Sequence, residues 1–322
     1  MAVPSDTVQT FAMVGIREDL SDVIMNITPT ETPFFAMIRK GTCKARTPEW
    51  QSDTDAAVDT ANYVVEGDAA ANDAGSHPTR LKNVVQLMDK VVEVSTSAQA
   101  VDTAGRGNEL KYQMAKKGRE LKRDIESRLT SNTASVLGNA STAGRLGGMG
   151  SWITTNDDRG SGGSDGGFNT GTGLTVAATD GTQRAFTETI LKAVIRQAWS
   201  SGGDPGIVLV GPVNKQRASA FAGIATQYRD SGQSKKAVVI MGAADIYVSD
   251  FGEHRIVPSR YTPERTAHII DPKTWALLFL QAMKTEPLAK LGHSDRRMLS
   301  CEVTLKCSEE RANGVAADLT TT

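Results

Sequence analysis

The 322-residue chain carries 36 basic against 37 acidic side chains, and 39% of it is apolar, which describes a soluble globular protein of one large or two smaller domains. A formal charge of −1 gives no bulk electrostatic reason to coat nucleic acid, and no apolar run approaches the ~18 residues that a membrane span needs. Residues 1–6 lack the basic segment and apolar core of a secretory signal, so a cytosolic chain, mature from Met1, is expected.

The first 40 residues read as an arm with two short helical pieces, 15–26 and 31–40, the second capped by Thr30 with Pro33 in its first turn. Residues 48–79 contain Glu49, Asp53, Asp55, Asp59, Glu66, Asp68 and Asp73, no Lys or Arg, and much Ala, Gly and Asn. This makes a poor core and a projecting loop. Residues 84–96 follow with apolar alternation on odd positions (Val85, Leu87) and then even ones (Val92, Val94), a parity slip that predicts a bulge near Asp89 and Lys90. The segments flanking the acidic stretch are expected to be the two legs of a long hairpin.

The strongest helical pattern spans 108–131, where Leu110, Met114, Gly118, Leu121, Ile125 and Leu129 share one stripe; at ~1.5 Å per residue it would be about 36 Å long. Its other faces carry Lys111, Lys116, Lys117, Arg119, Lys122, Arg123 and Arg128 against Glu109, Glu120, Asp124 and Glu126. Gly118 costs about 1 kcal/mol relative to Ala in such a helix, which calls for close packing or a bend. Residues 159–173 hold seven glycines and are expected to form a mobile loop that divides the chain. A second amphipathic helix spans 188–200, with Thr187 as cap, an apolar face of Ile190, Leu191, Val194, Ile195, Ala198 and Trp199, and a stop at Gly202 and Gly203. Strands are expected at 207–210, 237–241, 246–249, 254–257 and 275–282, the last pairing with 298–308. In that final strand Leu299, Cys301, Val303, Leu305 and Cys307 take alternate positions, so Cys301 and Cys307 share the apolar face yet stand roughly 20 Å apart. Both are core hydrophobes.

Searches for chemistry give little. Gly162-Gly163-Ser164-Asp165-Gly166 fits the nucleophile-elbow string, but that turn needs a strand leading in and a helix leading out, and here it sits in a Gly/Ser-rich stretch. The dinucleotide fingerprint fails at Asp165, and no phosphate-loop string occurs. His77, His254, His268 and His293 lack metal-ligand spacing and are expected on the surface or in turns. Asp53, Asp55 and Asp59 suggest a calcium loop, but Ala57 and Val58 stand where an oxygen ligand and glycine are required. No catalytic residue, cofactor or metal is therefore expected. What remains is a charge asymmetry, an acidic loop and a basic helix, which suits the loop of one subunit lying over the helix of the next.

Six strings, in this order along the chain, carry a resemblance: Asn26-Ile27-Thr28-Pro29-Thr30-Glu31-Thr32-Pro33-Phe34-Phe35, Arg119-Glu120-Leu121-Lys122-Arg123-Asp124-Ile125-Glu126, Gly211-Pro212-Val213-Asn214-Lys215-Gln216, Tyr247-Val248-Ser249-Asp250-Phe251-Gly252, Asp271-Pro272-Lys273-Thr274-Trp275-Ala276 and Lys284-Thr285-Glu286-Pro287-Leu288-Ala289-Lys290. The chain resembles the major capsid proteins of tailed bacteriophages, in particular the podophage-type subfamily, whose α+β Johnson fold is shared with herpesvirus capsid proteins. The resemblance implies an N-terminal arm (1–42), an extended loop (43–97), a peripheral domain (98–179) with spine helix 107–138, an axial domain (180–265) and strands returning to the peripheral domain (266–322). It also implies a non-enzymatic protein that self-assembles into pentamers and hexamers, forms the icosahedral head and encloses double-stranded DNA without sequence specificity. The inter-subunit residues would be the seven loop carboxylates and Lys116, Lys117, Arg119, Lys122, Arg123 and Arg128, with Gly118 as hinge. Arm and loop use up the residues before the spine helix, so a separate scaffolding protein is expected, besides a portal and, for non-covalent stabilisation, a decoration protein. The location implied is the virion, after assembly in the bacterial cytoplasm. An encapsulin-like cargo compartment and a hydrolase using Ser164 are the alternatives.

Overall fold

The structure, a computed structural model, describes residues 31–67, 69, 75, 77–101, 107–221 and 246–322. In chain order the elements are α1 (Pro33–Met37), β1 (Arg39–Thr42), β2 (Glu49–Ser52), β3 (Thr79–Lys82), β4 (Gln86–Ser95), α2 (Thr96–Ala100), α3 (Glu109–Thr130), β5 (Asp157–Asp158), β6 (Gly167–Asn169), β7 (Leu174–Val176), α4 (Glu188–Ser200), β8 (Ile207–Val210), α5 (Pro212–Ser219), β9 (Ile246–Ser249), β10 (Gly252–Pro258), β11 (Ala267–Ile270), β12 (Trp275–Pro287), β13 (Ser294–Cys307) and β14 (Gly314–Ala316). The expected pieces at 15–26 and 237–241, and the Thr30 cap, lie outside the described residues.

Two sheets organise the molecule. The first has the order β1-β12-β13-β4, with β1 parallel to β12 and the other pairs antiparallel. Its inner face, Leu299, Cys301, Val303, Leu305 and Cys307 on β13, packs with Leu121, Ile125 and Leu129 of α3, so the alternation read from the sequence is the face that α3 covers. The three cysteines are free. The second sheet has the order β5-β14-β11-β8-β10-β9, and α4 buries Leu191, Val194 and Ile195 in its core cluster, with Ala198 also buried. Thr187 caps α4 through the Ile190 amide, and Gly202 follows its end at a positive φ of 87°. Trp199, expected on the apolar face, is exposed instead and lies against Phe251, their ring centroids 5.0 Å apart and the planes tilted by 34°.

Several sequence expectations are corrected. The chain does not divide sequentially at 266: β11 and β14 belong to the six-stranded sheet, and the return to the first sheet begins only at β12. The helix expected over 31–40 ends at Met37, because Ile38 turns extended and β1 pairs with β12. The long helix ends at Thr130 rather than 138; beyond it Val136 bridges Arg145. The β4–β13 register runs unbroken from Gln86 to Ser95, so the expected bulge is absent from β4. Even positions face α3 throughout, Leu87 is exposed, and Val85 precedes the strand. The irregularities fall on β12 instead, between Phe279 and Lys284. Of the supposed hairpin legs, β2 and β3 are the true pair; residues 86–95 join the main sheet.

Residues 159–173 form a packed turn rather than a mobile loop. Buried Asp318 accepts the Gly160 and Gly181 amides and an Arg265 Nη2–H at 2.9 Å, and Arg159 bonds Asp157 and Asp165, both at 2.7 Å. A Cβ at Gly160 would collide with the Thr182 carbonyl oxygen, and one at Gly166 with that of Val176. These glycines answer to close backbone approach, not to freedom. Two histidines are likewise interior: His254 bonds the Pro205 carbonyl (2.6 Å) and Ser249 Oγ (2.7 Å), and His268 is buried in β11 beside Thr266. Burial lowers both imidazole pKa values, His268 to about 4.

Candidate assembly interface

The acidic loop rises from a fixed base. In the β2–β3 ladder Trp50 stands opposite Leu81, its Nε1–H donates to the Cys307 carbonyl at 2.7 Å, and its ring lies 5.7 Å from that of Trp152. Ser52 Oγ donates to Glu309 Oε2 at 2.9 Å. Glu49 is held by Arg80 across the ladder at 3.4 Å. Beyond Ser52 the described residues 53–67 leave the body. Asp53 accepts the Thr54 amide and Asp59 the Ala61 amide, while Asp55 and Glu66 have no bonded partner among the described residues. Asp68 and Asp73 lie outside them. What charge counting missed is the apolar content of this segment: Val58, Tyr63, Val64 and Val65 are each at least 75% exposed. The signal was present as a Tyr-Val-Val run inside an otherwise small and polar stretch.

The basic helix is capped and charged at its ends. Asn108 Oδ1 accepts the Lys111 amide, Glu109 lies in the first turn and Arg128 in the last, which suits the helix dipole at both ends. Of the six basic residues singled out, two are engaged within the chain. Arg128 donates to Gln86 Oε1 (3.1 Å) and the Leu146 carbonyl (2.7 Å), and Lys117 pairs with Glu120 at 2.7 Å. Burial and nearby Arg145 lower the Arg128 pKa. Lys116 and Lys122 are exposed and Arg119 and Arg123 half-buried; all four lack a bonded partner among the described residues. Gly118 sits within an unbroken helix, and a Cβ there would stand 3.8 Å from Leu299 Cδ2, ordinary contact. Tight packing is therefore not what requires this glycine.

Glu126, counted in the sequence with the solvated faces, is fully buried. Its two carboxylate oxygens accept the Phe34 and Phe35 amides at 2.8 and 2.7 Å, which are the free N–H groups of the first turn of α1. Thr32, the residue before that turn, gives no side-chain cap, so an acid 92 positions away does the work. Burial raises the Glu126 pKa to about 7 against the opposing pull of the two amides.

The Ser164 string does not form a nucleophile elbow: Ser164 bridges Thr179 through both backbone bonds and is followed by strand β6, not a helix. Among the described residues no group of three His, Cys, Asp or Glu side chains could hold a metal ion, and no helix is long and apolar enough to cross a membrane.

Comparison with known proteins places this geometry. The major capsid protein of Escherichia phage Phieco32 is 30% identical over 336 aligned positions, which cover 94% of each chain. In structure the chain is similar to the capsid of cyanophage A-1(L), with TM-score 0.64 and 14% identity over 98% of this chain and 99% of that one. It is also similar to the encapsulin of Synechococcus elongatus PCC 7942, with TM-score 0.55 and 13% identity over 95% and 94%; at such identities these two likenesses establish the Johnson-type fold alone. The family model described as SU10 major capsid protein matches residues 4–320, so the chain belongs to that family of tailed-phage major capsid proteins.

Proposed function

We propose that this protein assembles, without catalytic turnover, into pentamers and hexamers of an icosahedral phage head around double-stranded DNA. Residues 1–42 act as the arm, 43–97 as the extended loop, α3 as the spine of the peripheral domain, and the sheet with α4 as the axial domain. The observation that carries this reading is a loop whose base is anchored by Trp50 while Val58, Tyr63, Val64 and Val65 at its acidic end stay exposed among the described residues of its own chain. Such a surface requires another subunit. The loop carboxylates Glu49, Asp53, Asp55, Asp59, Glu66, Asp68 and Asp73 meet a neighbour's basic helix surface. Lys116, Arg119, Lys122 and Arg123 are free to serve there, while Lys117 and Arg128 act from within their own fold. Gly118 is the bend point if the precursor shell expands. Each contact can be weak because every subunit makes several. Near-balanced charge permits filling with DNA regardless of sequence. A separate scaffolding protein, a portal and a decoration protein complete the particle, which forms in the host cytoplasm. An encapsulin-like compartment shares the fold, but family membership favours the phage head.

The test is electron microscopy of the purified protein alone and with the scaffolding protein. Closed shells, sheets or capsomer rings are expected; a stable monomer under both conditions would refute the reading.

A further inference from the structure

A pocket of about 290 Å³ opens between the β2–β3 ladder, the β6–β7 hairpin and the chain that leaves β13. Part of its lining is aromatic. Trp152 lies there, 2% exposed, with its ring parallel to that of half-buried Phe168 and the centroids 5.7 Å apart. Of the three buried indoles, Trp50 donates to the Cys307 carbonyl and Trp275 to Asn313 Oδ1 at 2.8 Å, whereas the Trp152 Nε1–H meets no acceptor among the described residues. A buried donor is rarely left so.

The rest of the lining is polar. Glu309 accepts the Ser52 hydroxyl on Oε2 and the Arg311 amide on Oε1. Glu310 accepts the Thr154 and Thr155 amides on Oε2 and the Thr155 hydroxyl on Oε1. These bonds fix both carboxylates yet leave lone pairs unused, since a carboxylate can accept about four. Neither glutamate has an ion-pair partner among the described residues. Exposed Thr54, Thr79 and Thr170 add hydroxyls, and Arg311 adds a cation.

This lining selects its ligand. A cation would suit Glu309 and Glu310 but would face the indole N–H and Arg311; an anion would suit those two donors but would face both carboxylates. A hydroxyl both donates and accepts, and so meets the two sets at once. The aromatic surface beside them suits a ring with apolar C–H faces. The volume lies at the lower end of the roughly 300–1,000 Å³ usual for small-molecule sites, room for one ring and not for a chain.

We propose that this pocket binds a saccharide ring, whose hydroxyls accept from Trp152 Nε1 and donate to Glu309 and Glu310 while its C–H face lies on Phe168. The ring is a free sugar or the terminal residue of a glycan. The site belongs to the body of one chain and does not depend on the assembly reading.

The experiment is saturation-transfer difference NMR on the purified full-length protein, with glucose, galactose, mannose and N-acetylglucosamine offered singly. Putrescine and acetate, a cation and an anion, test the competing chemistries. Saturable transfer to at least one sugar is expected. Its affinity should fall about tenfold in Trp152→Phe, which keeps an aromatic ring and removes the N–H. Thr170→Tyr, at an exposed lining position, keeps the test open if the interior variant does not fold; it should obstruct the pocket and suppress transfer. Displacement of the bound sugar by dextran, a galactan, a mannan or a chitin oligomer identifies a glycan end as the source, and failure to displace it identifies the free sugar. Transfer to no sugar would overturn the proposal, as would transfer to putrescine or acetate alone. Transfer unchanged in both variants would put the binding elsewhere and overturn it as well.

Discussion

Glu126 offers the sharpest test of how the arm is rooted. Among the described residues its buried carboxylate has no paired cation and is held by two backbone amides of α1. A glutamate that titrates near 4.5 when unfolded titrates at about 7 in the folded protein, so the folded state holds the proton more tightly. The stability this contributes is fully present below about pH 4.5, is lost as pH rises toward 7, and changes no further above that. The difference corresponds to about 3 kcal/mol, or about a hundredfold in the local opening equilibrium of α1. Hydrogen exchange of the peptide containing Phe34 and Phe35, corrected for the intrinsic pH dependence of exchange, should show protection falling by about that factor between pH 5 and pH 8. In Glu126→Gln the slope should vanish, because the amide cannot ionise, while one strong acceptor is kept. Glu126→Ala should also lose the slope, and because it leaves two buried amides unpartnered its cost relative to the wild type should be largest below about pH 4.5 and shrink as pH rises toward 7. A pH slope that survives in the glutamine variant would show that another group controls the arm.

Three further outcomes follow from the geometry. Gly118→Ala should raise helix stability by about 1 kcal/mol, since the added methyl finds ordinary contact with Leu299; a thermal melt measures this, and maturation at an unchanged rate with an unchanged helix bend would remove the hinge. Reversing Asp53, Asp55 and Asp59 to Lys should impair shell formation while leaving the circular dichroism spectrum intact, and normal assembly at physiological salt would sink the charge pairing. Gly166→Ala should destabilise by about 2 kcal/mol or more because its Cβ meets the Val176 backbone. Gly162→Ala, in open space at a φ of 81°, should cost about 1 kcal/mol; equal unfolding midpoints for the two variants would contradict the packed-turn account.

The elements that could be read from the sequence are those whose signal is local. α3 and α4 declare themselves by caps and 3.6-residue stripes, and β13 by strict alternation, so their boundaries fell within a residue or a few of the structure. What could not be read is what distant chain segments do to one another. Glu126 looks like any surface glutamate until Phe34 and Phe35 are brought against it. Gly160 and Gly163 look flexible until Asp318, and at Gly160 also the Thr182 carbonyl, fill the space beside them. His268 looks peripheral until β11 is placed inside a six-stranded sheet with β8 on one side and β14 on the other. The candidate interface divides in the same way. Its loop carboxylates were visible as composition, whereas the consumption of Arg128 by Gln86 and Leu146 is a fact of packing.

The mixture on the loop also bears on why such a protein assembles instead of aggregating. Four exposed apolar side chains on one segment would by themselves favour nonspecific association. They are interspersed with Asp55, Asp59 and Glu66, so two loops of like charge repel, and the hydrophobic gain is realised only where the facing surface brings cations. The body holds some of its own charges in pairs, among them Lys90 with Asp124, Lys117 with Glu120 and Lys290 with Asp295. Lys116, Arg119, Lys122 and Arg123 of α3 stay without a bonded partner among the described residues, and on the proposed contact these would define where a neighbour binds. On the proposed contact, selectivity would come from which charges the fold leaves unpaired and affinity from the apolar residues between them. Higher salt should therefore relax the register of assembly before it removes the attraction itself.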